Sequence, residues 1–201
     1  SSMNYPFRYS VNSVLLNNRG EKFLDSEFIL GVEPRRDGRT AQPWFELDCS
    51  WKDRNHRHCR DRKGSMVVWG ALGSRSSAIF DLDGDGDLDI VTNDFNSEPM
   101  VLISNLSDKK QSLSFIKVEL IGTASNRSGL GATVEVRAGS QTYTKVHDGQ
   151  SGYLTQSLYP LYFGLDDADT VDEIAVRWPS GREQVVSGPI PVNSLEVVTE
   201  P

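Results

Sequence analysis

Five aspartates occupy every second position of one nine-residue segment, residues 81–89. Carboxylates packed this closely repel one another strongly unless a cation neutralises them. Ca²⁺ suits such a segment because it is a hard cation that accepts about six to eight oxygen ligands. Gly84 and Gly86 let the backbone curl, so that alternate side chains can point towards one centre. The spacing therefore predicts a calcium site that uses Asp81, Asp83, Asp85, Asp87 and Asp89.

The role of each aspartate follows from its position in a calcium loop. Positions 1, 3 and 5 of such loops supply side-chain oxygens, and position 7 supplies its backbone carbonyl. We therefore expect carboxylate ligands from Asp81, Asp83 and Asp85, and a carbonyl ligand from Asp87. Asp89, at position 9, would close the site directly or through a water molecule. The alternative is a solvated acidic turn that holds no ion.

The segments that flank the loop decide which kind of calcium loop it is. An EF-hand places a bidentate Glu at position 12, where this chain has Thr92, and it joins two helices. Residues 78–80 and 88–92 are instead rich in β-forming side chains. The sequence therefore predicts a calcium loop between two strands.

Short runs of β-forming residues continue along most of the chain, and polar turns separate them. In residues 174–178, Ile174, Val176 and Trp178 would share one face of a strand. Little helical periodicity accompanies these runs, so the sequence predicts an all-β fold. The predicted strands include residues 14–16, 66–69, 100–103, 115–120, 133–137, 141–146, 162–163, 174–178 and 195–198.

Length and charge limit the classes of function. The chain has 201 residues, 37% of them hydrophobic, and its formal net charge is −7. This charge argues against a general nucleic-acid binder, and no apolar run reaches the length of a membrane span. The polar stretch 105–112 predicts a boundary between a domain of residues 1–109 and a domain of residues 110–201.

The two cysteines, Cys49 and Cys59, lie ten positions apart. A disulfide is the favoured interpretation. The alternatives are free thiols or a zinc site that adds His56 and His58, although adjacent ligands at 58 and 59 would strain a tetrahedral centre. A disulfide together with a calcium loop favours an oxidising location, so we expect a secreted, cell-surface or periplasmic protein.

The cysteines belong to an insertion at about residues 32–73, which also holds three of the four tryptophans. Six basic residues and two aspartates between positions 52 and 63 give this stretch a local charge of +4. Trp51 could stack on a sugar ring while nearby arginines hold its acidic groups. We therefore expect an acidic polysaccharide to bind Trp51, Arg54, Arg57 and Arg60. The alternative is a solvated loop that only covers the end of a sheet.

Three segments resemble two known families. Residues 80–93 resemble the core of the FG-GAP/VCBS repeat, a β-propeller blade that carries calcium between strands, and residues 15–25 resemble its hairpin. From about 112 to 187 the chain resembles the ASPIC/UnbV domain of bacterial exported proteins and cartilage acidic protein. The motifs that carry this second resemblance are residues 126–132, 149–157, 162–165 and 176–181.

The resemblance implies a partial, propeller-blade-like repeat region packed with a C-terminal β-sandwich or barrel-like domain. The long insertion departs from the repeat pattern. A propeller needs about four blades of four strands, more than residues 1–109 can supply. We therefore expect the chain to be a piece of a longer protein whose remainder is a partner.

These families are associated with extracellular adhesion or matrix binding. We accordingly expect a non-catalytic, calcium-binding module that recognises an acidic glycan or an extracellular protein. The alternative is a purely architectural module that terminates a propeller. A hydrolase is disfavoured. The chain has three histidines and no Gly-x-Ser-x-Gly elbow for nucleophilic catalysis. A metal-dependent hydrolase would need an open coordination position, whereas five carboxylates in one loop indicate a filled shell.

Overall fold

The computed structural model describes residues 12–18, 20–33, 41–71, 73–94, 98–109 and 113–201. These residues are almost entirely strand and loop, which confirms the predicted all-β class. The chain clusters into two units, Ser1–Ser76 with Thr92–Met100 and Ser77–Val91 with Val101–Pro201. The aspartate segment 81–89 thus lies in the second unit. The domain boundary expected near residue 109 stays a prediction.

Sixteen strands and one short α-helix lie in the described part of the chain. The strands of its first half are β1 (Leu15–Asn18), β2 (Lys22–Asp25), β3 (Ala41–Asp48), β4 (Ser65–Ala71), β5 (Ser74–Phe80), β6 (Asp89–Asp94) and β7 (Met100–Leu102). Helix α1 (Leu106–Lys109) follows. The remaining strands are β8 (Phe115–Ile121), β9 (Thr133–Ala138), β10 (Gln141–Val146), β11 (Gln150–Gly152), β12 (Thr155–Gln156), β13 (Leu161–Gly164), β14 (Thr170–Arg177), β15 (Glu183–Pro191) and β16 (Ser194–Thr199).

In the first unit, β1 and β2 form one antiparallel hairpin, and β3 and β4 form another. A 3-10 helix, Arg57–Cys59, lies in the β3–β4 connection. Cys49 and Cys59 form a disulfide, as predicted. Because zinc binds thiolates, sulfurs joined in a disulfide rule out the alternative zinc site with His56 and His58. Free thiols are ruled out as well.

In the second unit, two sheets bury one apolar core between them. The first sheet has the strand order β10-β9-β14-β15, and the second has the order β13-β8-β16, with β16 parallel to β8. Both sheets contribute side chains to a single cluster of fully buried residues, which is the arrangement of a β-sandwich. The largest of these side chains are Trp178, Phe163, Ile116, Leu165 and Ile174.

Alternation of apolar and polar residues explains why these strands pack as they do. In β14, Ile174 and Val176 are buried while Arg177 is exposed, and Trp178 continues the buried face just after the strand. This confirms the face predicted from the sequence, since side chains of a strand alternate between its two sides. The indole Nε1 of Trp178 donates to Gln184 Oε1 at 3.0 Å, so its one polar atom is satisfied.

None of the helices in the described ranges has the length and apolar character needed to cross a bilayer.

Strands β5, β6 and β7 form a three-stranded sheet, and the β5–β6 connection is the aspartate loop. The loop thus lies between two strands, as the sequence predicts.

A buried carboxylate ties the end of β16 to the loop that follows β8. Oε2 of Glu200 accepts hydrogen bonds from the backbone amides of Thr123, Ala124 and Ser125 at 2.7–2.9 Å. Its Oε1 accepts from the hydroxyls of Ser125 and Ser180. Burial alone would raise the pKa of Glu200, but the bonds from Ser180, Ser125 and Thr123 outweigh it and lower the pKa to about 2.

The Glu200 carboxylate should make the stability of the second unit depend on pH. Since its pKa is lower in the folded than in the unfolded state, its contribution is present above about pH 4.5 and is lost as the pH falls towards 2. We expect Glu200→Gln to lower the melting temperature at pH 7 and to flatten the pH dependence between 4.5 and 2. Thermal denaturation monitored by circular dichroism over this range measures both effects.

The matched control is Glu183→Gln, which removes an exposed carboxylate paired with Arg177 at 3.4 Å. Exposed ion pairs contribute about 0–1 kcal/mol to stability, so this change should leave the pH dependence of the melting temperature nearly unchanged. Equal profiles for Glu200→Gln and the parent protein would contradict the assignment.

Candidate metal centre

The β5–β6 connection brings three of the five predicted aspartates together. Carboxylate oxygens of Asp81, Asp83 and Asp89 lie within 4.8 Å of one another. Asp81 immediately follows β5 and Asp89 begins β6, so the two strands fix the ends of the loop. Asp83 reaches the same point from the turn between them.

The curl of this loop depends on backbone amides that point at its own carboxylates. The amide of Gly84 donates to Asp81 Oδ1 at 2.7 Å, and that of Gly86 donates to Asp81 Oδ2 at 3.0 Å. Both glycines adopt positive φ, +84° and +96°, which side chains other than glycine rarely tolerate. Two more amides donate in the same way, Asp85 to Asp83 at 3.2 Å and Asp87 to Asp85 at 3.0 Å.

Asp85 and Asp87 do not join the cluster of three carboxylates but turn towards α1. The hydroxyl of Ser107 donates to Asp85 Oδ2, and its amide donates to Asp87 Oδ2 at 2.8 Å. The other oxygen of Asp87, Oδ1, is buried and has no hydrogen-bond partner among the described residues. Only 2% of Asp87 is exposed. A buried carboxylate oxygen without a partner is costly, so a compensating cation would stabilise this position.

The pKa values of two neighbouring aspartates in the loop, Asp83 and Asp85, are shifted in opposite directions. The amide of Asp85 acts to lower the pKa of Asp83, but partial desolvation and the surrounding carboxylates prevail and raise that pKa. The hydroxyl of Ser107 and the amide of Asp87 hold the pKa of Asp85 below its ordinary value. The carboxylates around Asp83 therefore disfavour its charged form, and a bound cation would offset their repulsion.

The sandwich supplies two polar contacts to this loop. Nζ of Lys117, on β8, lies 2.5 Å from Oδ2 of Asp81, whose side chain is only 2% exposed. The hydroxyl of Tyr162, on β13, donates to the carbonyl of Gly86 at 2.8 Å. Burial and the nearby aspartates raise the pKa of Tyr162 to about 12. The ring of Phe115 stacks on that of Tyr162 with centroids 5.2 Å apart.

The donor set fits Ca²⁺. The candidate ligand atoms are carboxylate oxygens, with the carbonyl of Asp87 expected to join them, and hard cations prefer oxygen ligands. Asp89 already accepts amide hydrogen bonds from Leu82 and Ser104, each at 2.8 Å. Each carboxylate oxygen has two lone pairs, so these bonds orient Asp89 without preventing coordination.

A cavity of about 560 Å³ lies beside the loop, within the second unit. Asp81 and Lys117 line it, together with Lys145 and the segment from His147 to Ser151. Tyr159 and Phe80 form one wall, and their rings are stacked with centroids 4.4 Å apart.

The residues expected to bind a glycan lie in the β3–β4 connection of the first unit. Trp51 is 80% exposed, and Arg54, Arg57 and Arg60 are exposed as well. Asp48 Oδ1 accepts hydrogen bonds from the amides of Ser50 and Trp51, which fixes the start of this connection. Glycan binding by this set stays a prediction.

No local pattern in the sequence marks Ser107, Lys117 or Tyr162 as site residues, although they contact the loop from 20 or more positions away. Their residue types are common, and pairing across such distances depends on strand order. The nearest available signal was Tyr162 itself, since it belongs to the stretch 162–165 that resembles the ASPIC/UnbV domain.

Comparison with protein families agrees with one of the two resemblances. Residues 122–201, 80 of the 201 residues, match the model of the family described as ASPIC and UnbV. The matched residues run from the loop after β8 to the end of the chain and lie within the second unit. A search of the curated proteins found no match. The FG-GAP/VCBS resemblance of residues 80–93 stays a prediction.

Proposed function

We propose that this chain is a non-catalytic, calcium-binding module that acts outside the cytosol in adhesion or matrix binding. One observation carries the proposal: three carboxylates converge within 4.8 Å while Asp87 retains a buried oxygen without a hydrogen-bond partner among the described residues. The Cys49–Cys59 disulfide supports the extracellular location, because disulfides persist in oxidising compartments.

The proposed role of the ion is structural. Asp81, Asp83 and Asp89 would hold it, with Asp85 and the carbonyl of Asp87 completing the shell. Ca²⁺ would offset the mutual repulsion of these carboxylates and fix the loop between β5 and β6. The loop would then be held in place on the sandwich, with the carbonyl of Gly86 bonded to the hydroxyl of Tyr162.

Partner binding is proposed for the β3–β4 connection. An exposed indole can cover one face of a sugar ring, and the guanidinium groups of Arg54, Arg57 and Arg60 suit carboxylate or sulfate groups. An acidic polysaccharide or an acidic extracellular protein fits this chemistry.

A second candidate, a purely architectural module, is favoured by the contacts that join the aspartate loop to β8 and β13. A binding screen with sulfated polysaccharides separates the two, since the architectural module would bind none.

Calcium should raise the melting temperature of the protein. At free calcium about a hundredfold above its dissociation constant, binding adds about 2.7 kcal/mol, which corresponds to about 5–10 °C for a chain of this size. Differential scanning calorimetry with calcium and with excess chelator measures this shift. Asp83→Asn should remove most of it, because it replaces one charged ligand without changing the side-chain volume.

The matched control is Asp61→Asn, at an exposed aspartate in the first unit. It should keep the full calcium-dependent shift. Identical melting curves in calcium and in chelator would refute the structural role of the ion.

A further inference from the structure

The cavity beside the aspartate loop combines groups that suit an anion. Its lining includes two lysines, Lys117 and Lys145, and two aspartates, Asp81 and Asp148. Asp148 is exposed, and its Oδ1 accepts the amide of Gln150 at 2.9 Å within its own turn. Asp81 is the carboxylate that holds Lys117. Lys117 can therefore attract an anion in the cavity only when Asp81 does not neutralise its charge.

Lys145 is held at the cavity by an aromatic ring. Its Nζ lies 5.6 Å from the centroid of the Phe163 ring. Burial lowers the pKa of Lys145 from its ordinary value. An anion in the cavity would favour the charged ammonium and would receive a charge-assisted hydrogen bond in return.

A neutral wall of hydrogen-bonding groups adjoins the two ammonium groups. His147 is 7% exposed, and burial lowers its pKa, although the carbonyl of Ser128 and the carboxylate of Asp148 act in the opposite direction. The neutral form of the imidazole is therefore favoured. Oγ of Ser151 is buried and has no hydrogen-bond partner among the described residues. A hydroxyl left in this state at a cavity wall indicates a ligand atom or water that would complete it.

The aromatic wall and the size of the cavity define the rest of the ligand. Phe80 covers one face of Tyr159, which remains 53% exposed, so the other side of the ring is accessible. Aromatic faces pack against the apolar face of a sugar ring while hydroxyls bond at its edge. A volume of about 560 Å³ is within the usual range for small-ligand sites.

We propose that this cavity binds one anionic sugar residue, and that Ca²⁺ in the aspartate loop makes the site available. The inference rests on the proposed function, because it requires the ion. When Ca²⁺ takes the oxygens of Asp81, the ammonium of Lys117 loses its partner and turns to the anion. Lys145 and Ser151 bind the same acidic group, while Tyr159 packs against the ring.

Coupling of this kind is reciprocal. If calcium strengthens anion binding by a given factor, the anion strengthens calcium binding by the same factor. A factor of about 5–100 is expected, since couplings of this size are usual between linked sites.

Isothermal titration calorimetry with glucose 6-sulfate tests the inference, with glucose as the neutral control. With calcium present, glucose 6-sulfate should bind and glucose should bind at least about tenfold more weakly. In chelator, binding of the sulfated sugar should weaken by about fivefold or more. No binding in calcium, equal binding of the two sugars, or equal affinity in calcium and chelator would each overturn the inference.

Variants assign the binding to this cavity. Lys145→Gln should weaken binding about tenfold or more, because one charge-assisted hydrogen bond is lost, while Lys145→Arg should retain most of it. Ser151→Ala gives a second measure and should weaken binding about threefold to tenfold. The control Lys22→Gln, at an exposed lysine of β2, should bind as the parent protein does. Unchanged affinity in both Lys145→Gln and Ser151→Ala would contradict the assignment.

Melting temperatures measured on the same samples separate this inference from the proposed function. A calcium-dependent shift without sugar binding would overturn the cavity site alone. Loss of both the shift and the sugar binding would overturn the calcium module as well.

Discussion

Replacing Gly86 by alanine should lower the free energy of unfolding by about 2–5 kcal/mol and weaken calcium binding. A Cβ atom added to Gly86 would lie 2.5 Å from Cε1 of Phe115, which is closer than real Cβ contacts allow. The φ of +96° adds strain of about 1–2 kcal/mol for a residue with a side chain, and overpacking adds about 1–3 kcal/mol. Since Phe115 begins β8, relief of the clash would move the loop away from the sandwich.

Gly84 offers a matched control for this substitution. Its φ of +84° imposes similar strain, but a Cβ there would meet no atom of the described residues within 4 Å. Gly84→Ala should therefore cost only about 1–2 kcal/mol. Urea denaturation of both variants in calcium measures the difference. Equal destabilisation by the two substitutions would contradict the prediction, because the clash with Phe115 would then add nothing to the effect of Gly86→Ala.

Removing the Cys49–Cys59 disulfide should destabilise the β3–β4 hairpin by about 3 kcal/mol. The bond closes a short loop, and the entropy of the unfolded chain rises by about this amount when such a crosslink is lost. The core of this hairpin is small: its buried members are Leu47, Val68 and the two cysteines themselves. Loss of the crosslink therefore changes two of the four buried residues of the hairpin core.

Hydrogen exchange of amides in β3 and β4 measures this effect, on the Cys49→Ala/Cys59→Ala double variant. Protection there should fall by about a hundredfold, which is the equivalent of about 3 kcal/mol. Amides of β9 and β14 serve as the internal control, because the apolar cluster that they flank contains no cysteine among its described members. Unchanged protection in β3 and β4 would contradict the prediction.

Local patterns explain why much of the fold was predictable from the sequence. The alternation of Ile174, Val176 and Trp178 specifies the buried face of a strand wherever that strand lies in the sheet. Asp81, Gly84 and Gly86 likewise form a loop whose hydrogen bonds close within a few residues. The spacing of the cysteines was compatible with a disulfide, and they form one.

Contacts between distant residues explain what the sequence did not reveal. The carboxylates of Asp81, Asp83 and Asp85 were expected to converge, with the carbonyl of Asp87 and with Asp89 closing the site. Ser107 instead hydrogen-bonds to Asp85, and the three carboxylates that lie together are those of Asp81, Asp83 and Asp89. Lys117 and Tyr162 reach the loop because β8 and β13 are neighbours in one sheet. No periodicity in a single sequence specifies that β8 pairs with β13. The cavity beside the loop depends on this pairing.

A crystal structure of the protein grown in calcium tests the central claim most directly. Anomalous difference density should show one ion per chain at the aspartate loop, at about 2.3–2.6 Å from carboxylate oxygens of Asp81 and Asp83. Nζ of Lys117 should have left Asp81. A loop that holds no ion at saturating calcium, with Lys117 still paired to Asp81, would contradict the account.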